Sequence, residues 1–328
     1  MAHVVVIGGG LAGCLVAKKL ADRGAEVAIL EKSENIGGKV KNYGCKATDK
    51  CNNCGLCLVG DLWENIDSNS KIEILTNAKL IDIYGSKGNY SVMVKVGNST
   101  EILNEIESIV VSIGFNNFSL LSSSCLEFDT SNNIITGSDL EKVISCRGTS
   151  ELFGELYAKN PESIAFIQCF GSRDIKEKAM YCSRICCAYS TRAAKVIKQY
   201  YPETIISFFY MDLQWVENKE YFNSMKNENI EFIECRPVKI NSGNPAKIIY
   251  EDPKTCKLIE RDYELIVLSE GIHPANDVEH IAEICMLEQD ENGFLKYVKS
   301  PETTGVYIAG CAGGPKRIEE VYAQSLAI

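Results

Sequence analysis

The sequence predicts an α/β protein: a Rossmann-like dinucleotide-binding domain interrupted by a second α/β domain. Three observations predict it. The chain opens strand–glycine loop–helix–strand, a hydrophobic strand near its middle restarts the same pattern, and a strand, glycine-rich turn and helix close it. Its 328 residues suffice for two domains, or for one inserted into another, and 45% hydrophobic residues supply the cores.

Residues 3–7 form a short β-branched run, and 8–13 read GGGLAG. An amphipathic helix follows to about Gly24, then a strand over 26–30 that ends at Glu31. Gly8, Gly10 and Gly13 fit the GxGxxG template, which provides a tight turn, close backbone approach to a pyrophosphate, and helix–strand packing. The helix N-terminus offers amide donors and the positive dipole end. Glu31 stands where a carboxylate binds an adenosine ribose, followed by Lys32 and by Gly37-Gly38-Lys39 in EKSENIGGK. Residues 71–116 alternate as strands and finish at Ser112-Ile113-Gly114. A buried strand near 164–168 leads to a helix at about 186–200, a strand at 204–210 and a hydrophobic strand at 265–269. The end, TTGVYIAGCAGGPKRIEEVYAQSLAI, reads as strand, turn and helix.

A formal net charge of -10 argues against nucleic acid and anionic membrane surfaces. No apolar run is long enough to span a bilayer and no signal peptide precedes the glycine loop, so a cytoplasmic location is expected. Fifteen cysteines in such a chain point to metal ligands or redox centres rather than disulfides. Cys14, Cys125, Cys146, Cys235, Cys256 and Cys285 are scattered and read as small buried hydrophobes. The three histidines, His3, His273 and His280, read as surface or core residues, and no acid–base catalyst is evident.

The other cysteines form two constellations. Cys169, Cys182, Cys186 and Cys187 lie in CFGSRDIKEKAMYCSRICC. Four thiolates in one loop and helix start suit an iron–sulfur cluster. The last two also gain from a helix dipole that favours thiolate. Zinc and a metal-free loop are the rivals, but adjacent cysteines are uncommon in CxxC zinc knuckles. Cys45, Cys51, Cys54 and Cys57 lie in GCKATDKCNNCGLC, whose CxxCxxC core has ferredoxin-like spacing. A second cluster is expected there, with Cys45 or a remote cysteine completing the set; a dithiol or unmetallated loop is the alternative.

The segment after Glu31 resembles the two-dinucleotide-binding-domain flavoproteins, which include thioredoxin and glutathione reductases. That resemblance implies FAD along Gly37-Gly38 and a late Gly-Asp pair on the ribityl chain, where this sequence has Gly310-Cys311. It also implies a second nucleotide domain, whose glycine loop is here replaced by the four cysteines of residues 169–187. The redox pair of glutathione reductase-like enzymes is broken, because Val40 stands where its first cysteine would be and Cys45 keeps the second.

Four stretches carry a fuller resemblance: the N-terminal motif; IITGSDLEKVI; IAFIQCFGSRD with YCSRICCAYSTRAA; and LIVLSEGIHP with ENGFLKYV and TTGVYIAGCAGGPKRI. Together the chain resembles the heterodisulfide reductase A family, iron–sulfur flavoproteins of anaerobes, in a short version without extra ferredoxin domains. Cys311 after Gly310 is tolerated in that family. The resemblance implies an oxidoreductase subunit with FAD and [4Fe-4S] clusters, working within a complex and passing electrons between flavin and clusters, with electron bifurcation in full-length relatives. Its implied partners are other iron–sulfur proteins of the complex, a ferredoxin, or a hydrogenase or dehydrogenase module. It makes Cys169, Cys182, Cys186 and Cys187 the cluster ligands and sets Arg192 where a flavin-facing lysine is common. The implied division is an FAD domain over 1–116 and 270–328 and an inserted module over 117–269. An NAD(P)H-dependent disulfide reductase is the alternative, against which stand the missing second GxGxxG and the broken cysteine pair.

Overall fold

The computed structural model describes residues 3–119, 133–145, 153, 160–214, 223, 225 and 228–328. Cys125 and Cys146 lie outside these. The chain divides into two compact units: Met1–Lys41, Gly55–Asn116 and His273–Ile328 form the first, and Asn42–Cys54 with Asn117–Ile272 form the second.

The first unit grows from β1 (His3–Ile7), α1 (Leu11–Asp22) and β2 (Glu26–Leu30). β1 and β2 pair in parallel from His3↔Glu26 to Ile7↔Leu30. β3 (Ile72–Leu75) extends the sheet beyond β2, and an antiparallel meander, β4 (Ala78–Ser86), β5 (Asn89–Val96) and β6 (Ser99–Val111), lies at its other end. β6 serves two kinds of pairing in sequence. Its first half pairs with β5, and its last residues run parallel between β1 and the strand Val306–Ile308. The sequence shows the change: STEILNEIE alternates with exposed polar positions, whereas Ile109, Val110 and Val111 are all buried, as a strand covered on both faces requires. The helix Ile318–Ala327 closes the chain, its first turn fixed by the Glu320 carboxylate accepting the Arg317 N–H at 2.9 Å.

The second unit is a five-stranded parallel sheet. Its strands are β7 (Ile134–Thr136), β8 (Ser163–Phe170), β9 (Ile205–Tyr210), β10 (Ile230–Glu234) and a hydrophobic strand Leu265–Glu270, in the order β10-β9-β8, then Leu265–Glu270, then β7. Two helices, α2 (Gly137–Ser145) and α3 (Cys186–Tyr200), belong to this unit. Alternate residues of β8 serve two cores: Ile164 and Phe166 pack with Ala193, Val196 and Ile197 of α3. Ala165 and Ile167 pack with Ile240, Ile248 and Tyr250 of a three-stranded antiparallel sheet, Lys239–Asn241, Ala246–Asp252 and Lys257–Tyr263. Periodicity alone does not reveal that small sheet.

An aromatic ladder crosses the sheet. Phe166, Phe208 and Phe232 are register partners on β8, β9 and β10, and their rings stack at 4.7 and 5.1 Å with planes 8° and 11° apart. Phe208, in the middle, is fully buried. Phe208→Ala is expected to cost about 3–5 kcal/mol of unfolding free energy, and Phe208→Leu distinctly less. Urea denaturation of the two variants checks this, and equal, small losses would contradict it.

Candidate functional site

In the first unit the glycine loop between β1 and α1 is pressed from within. A Cβ on Gly13 would sit 2.0 Å from the Gly8 carbonyl oxygen, so only glycine lets α1 start this close to β1. Gly10 is different: a Cβ there would meet nothing within 4 Å. The space beside Gly10 is therefore open to a ligand rather than filled by protein. Gly37 and Gly38 line the same loop, with the Gly37 N–H donating to the Gly9 carbonyl at 2.7 Å and a Gly38 Cβ falling 3.1 Å from the Gly10 Cα.

Glu31 is buried, and its Oε2 accepts the Gly9 N–H at 2.8 Å while Oε1 accepts the Ser33 N–H at 2.8 Å. Oε1 also accepts the Ser33 hydroxyl, so Oε2 is the oxygen that keeps a lone pair for a ribose hydroxyl. Ser112, which no sequence motif singles out, reaches the Ile7 and Gly8 carbonyls at 3.0 and 2.8 Å and locks the loop. Gly114 has φ 72° and open space beside it. Lys32 pairs with Asp277 at 2.9 Å, and Lys39 lies 5.3 Å over the Phe115 ring. Gly310 is held by Gln324 at 2.9 Å, and the thiol of buried Cys311 donates to the Lys316 carbonyl at 3.5 Å, burial raising its pKa. A ribityl-binding carboxylate is thus replaced by a thiol already committed to the backbone. The residues fit a dinucleotide: an open glycine cradle, a helix N-terminus and a fixed carboxylate.

Arg192 is the one expected cofactor residue that lies in the second unit. Its guanidinium donates to the Asn52 and Asn53 carbonyls at 2.7 and 2.6 Å.

Cys169, Cys182, Cys186 and Cys187 also lie in the second unit. Cys169, near the end of β8, is in the left-handed region (φ 59°), Arg173, Lys178 and Arg184 share that conformation, and α3 begins at Cys186. Such residues each cost roughly 1–3 kcal/mol and persist only where the surroundings hold them. Cys169, Cys186 and Cys187 are buried. Burial is the main cause raising the Cys186 pKa well above the thiol range, and the negative charge of Cys187, Cys169 and Cys182 adds to it. Cys187 is pushed up to about 12, by burial first and by Cys169 and Cys182 among the other charges. Burial also raises Cys169, against the opposing guanidinium charges of Arg173 and Arg236.

The expectation that the helix start favours thiolate is corrected here. A helix dipole supplies at most about 2 kcal/mol, whereas the rise of Cys187 from 9.0 to about 12 corresponds to roughly 4 kcal/mol. Desolvation wins unless a cation joins the thiols. Cys182 accepts the Arg184 N–H at 3.3 Å. Among the described residues no three His, Cys, Asp or Glu side chains are assembled as a metal-holding set. The fit to a cluster rests on the donor chemistry: four cysteine thiols from one strand end, loop and helix start, an amide directed at one of them, and guanidinium charge beside another.

The second constellation is divided. Cys45, Cys51 and Cys54 belong to the second unit and Cys57 to the first. Cys45, Cys51 and Cys57 are exposed and Cys54 is half-buried. Cys45 accepts the Ala47 N–H and Cys51 the Asn53 N–H, both at 3.4 Å. Of the scattered cysteines, Cys14 and Cys285 are buried as expected, but Cys235 is half-buried and Cys256 is exposed beside the turn joining two strands of the small sheet, where it packs no core.

The family model for an NAD(P)-binding Rossmann-like domain matches residues 6–55. Over 99% of its length the chain is 26% identical to a curated relative from Methanopyrus kandleri, the second iron-sulfur A chain of its CoB--CoM heterodisulfide reductase, covering 63% of that protein. It is 25% identical over 98% of its length to the A chain of the H(2):CoB-CoM heterodisulfide,ferredoxin reductase of Methanothermobacter thermautotrophicus, covering 62% of it. The chain thus resembles the heterodisulfide reductase A family throughout and spans less than two thirds of these relatives. Among solved structures, thioredoxin reductase of T. acidophilum matches with TM-score 0.62 and 16% identity, over 99% of this chain and 96% of that one. The HOCl-induced flavoprotein disulfide reductase RclA of Escherichia coli matches with TM-score 0.61 and 13% identity, over 99% and 69%. The fold is that of the thioredoxin reductase-like flavoproteins. No helix among the described residues is long and apolar enough to cross a membrane.

Two outcomes are expected. Gly10→Ala leaves the melting temperature nearly unchanged while weakening dinucleotide binding, whereas Gly13→Ala destabilises the fold; paired melts and binding titrations separate them. In metal-free protein at pH 8, iodoacetamide labels exposed Cys45, Cys51, Cys57 and Cys256 before the buried Cys187. The Cys187 rate climbs as pH rises toward 12, because thiolate is the reactive form and a raised pKa keeps it scarce below that value. Mass spectrometry of labelled peptides reads this.

Proposed function

We propose that this chain is the FAD- and [4Fe-4S]-bearing electron-transfer subunit of a heterodisulfide reductase-like oxidoreductase complex. The observation that carries the reading is the placement of Cys169 at the end of β8, Cys182 in the loop after it and Cys186 and Cys187 at the start of α3, where a nucleotide-binding unit of this fold would need its glycines. Bound FAD would exchange electron pairs and bound clusters single electrons, which is the chemistry a relay needs.

The chain's own residues divide the work. Gly10, Gly37 and Gly38 would bring backbone close to the dinucleotide, Gly8 and Gly13 let the loop and α1 pack tightly beneath it, and Glu31 would orient its ribose. Lys32, Lys39, Gly114, Gly310 and Cys311 complete the flavin side. Burial of Cys169, Cys186 and Cys187 excludes water from the metal they would hold, while Arg173 and Arg236 offset charge at Cys169. Cys45, Cys51, Cys54 and Cys57 would hold a second cluster. The partners in this reading are other iron–sulfur proteins of the complex, a ferredoxin, or a hydrogenase or dehydrogenase module. Its finer form is electron bifurcation, tested by whether one donor reduces a high- and a low-potential acceptor together once those partners are supplied.

The first test is iron and acid-labile sulfide per FAD in anaerobically purified protein. About eight irons per flavin are expected, and Cys186→Ser should remove about four. Flavin without iron in protein never exposed to air would overturn the relay. Rapid bleaching of the flavin by NADPH alone would then favour the disulfide reductase.

A further inference from the structure

We propose that Arg192 is the positioning residue of the Cys51–Cys54 turn, holding its backbone and setting the electrostatics of the metal that turn would carry; this rests on the cluster reading above. By sequence the turn follows the glycine loop of the first unit, yet residues 42–54 belong to the second. Two anchors keep them there. Near Cys45, the Glu141 carboxylate of α2 accepts the Gly44 N–H at 3.1 Å and pairs with Lys46, which is buried. A Cβ on Gly44 would fall 2.7 Å from the Ser145 Cα, so the chain lies directly on the end of α2. Near Cys51, the anchor is Arg192 on α3. The Asn52 side chain closes the loop on itself through the Lys46 carbonyl at 2.5 Å.

The geometry at Arg192 is specific. Its Nε donates to the Asn52 carbonyl at 2.7 Å, and the Asn53 N–H donates to the Cys51 Sγ at 3.4 Å. That carbonyl and that N–H belong to one peptide group. The guanidinium pulls on its oxygen while its hydrogen points at sulfur, so the cation strengthens an amide donor aimed at Cys51. A second bond, from Nη2 to the Asn53 carbonyl at 2.6 Å, grips the next peptide, and Asn53 is held in the left-handed region at φ 47°. A planar fork does this and an ammonium does not.

Arg192 also lies on the helix that Cys186 and Cys187 begin, about 9 Å along the axis from Cys186 at 1.5 Å per residue. One helix therefore sets the separation between a ligand pair of one constellation and the anchor of the other. Here the guanidinium is engaged with the Asn52 and Asn53 carbonyls.

The test uses the full chain, reconstituted anaerobically with iron and sulfide, as wild type, Arg192→Met and Arg192→Lys. Two observables are read: iron per chain, and the midpoint potentials of both clusters by EPR-monitored titration. Arg192→Met should keep the iron of the Cys169 constellation and lose iron from the Cys51 constellation. Any Cys51 cluster retained should have a lower midpoint potential, because removing a fixed positive charge disfavours the more negative reduced state. Arg192→Lys should restore part of the potential but not the full iron content. Unchanged iron and unchanged potentials in Arg192→Met overturn the proposal. If wild type takes iron only at the Cys169 constellation, the second-cluster reading has failed, and the anchor is judged on metal-free protein. Cleavage within residues 45–54 under limited proteolysis should then rise about tenfold or more in Arg192→Met, for loss of a hydrogen bond to a charged group; an unchanged rate overturns it.

Discussion

Sulfur buried at the head of one helix sets the terms for the second unit. A thiol at Cys186 or Cys187 is stable there as a neutral group, and as a thiolate only when positive charge comes with it. The parallel sheet makes this environment: Leu265–Glu270 and β8 are buried along most of their length, and both faces are covered, by α3 on one side and the small antiparallel sheet on the other. The strands end in polar groups that must be satisfied without water. Ser269 meets Ser190 at 2.8 Å and Gln168 at 3.1 Å, and the buried Glu270 carboxylate accepts the Gly137 N–H at 2.6 Å. Cys186 itself reaches the Glu270 carbonyl at 3.7 Å. The start of α3 is thus tied to the end of Leu265–Glu270, while Gln168 Oε1 and Ser172 Oγ are buried there without a hydrogen-bond partner among the described residues.

The first unit answers a different demand. Its loop must leave room for a ligand while packing α1 tightly on β1, and glycine meets each requirement at a different position. Gly13 gives close packing inside the protein, and Gly10 leaves space outside it. The same three-glycine spacing thus encodes a structural need and a binding need, as the GxGxxG template implies.

The residues legible in the sequence are those whose signal is local. The strand–glycine–helix opening, the hydrophobic runs at 164–168 and 265–269, and the helix from Cys186 each announce themselves within a dozen residues through periodicity and turn chemistry. The small sheet over 239–263 escapes such reading because its strands are half-exposed, with Lys, Glu and Asp among their residues. The anchors Glu141 and Arg192 are illegible for another reason. Glu141 acts on a residue 97 positions away and Arg192 on residues 140 and 139 positions away, and a charged side chain on a helix carries no mark of what it will bind. The dipole argument at Cys186 and Cys187 misjudges a magnitude: helix ends are visible in sequence, desolvation is not.

The course of residues 42–54 has a consequence for biogenesis. The chain emits three cysteines early, yet the groups that fix them, Glu141 and Arg192, are translated roughly a hundred or more residues later. Until the second unit has folded, Cys45, Cys51 and Cys54 are a tethered strand of thiols without a frame, because closing so long a loop must await the contacts that hold it. Synthesis and assembly are therefore offset in this protein: Cys45, Cys51 and Cys54 leave the ribosome well before the side chains that frame them.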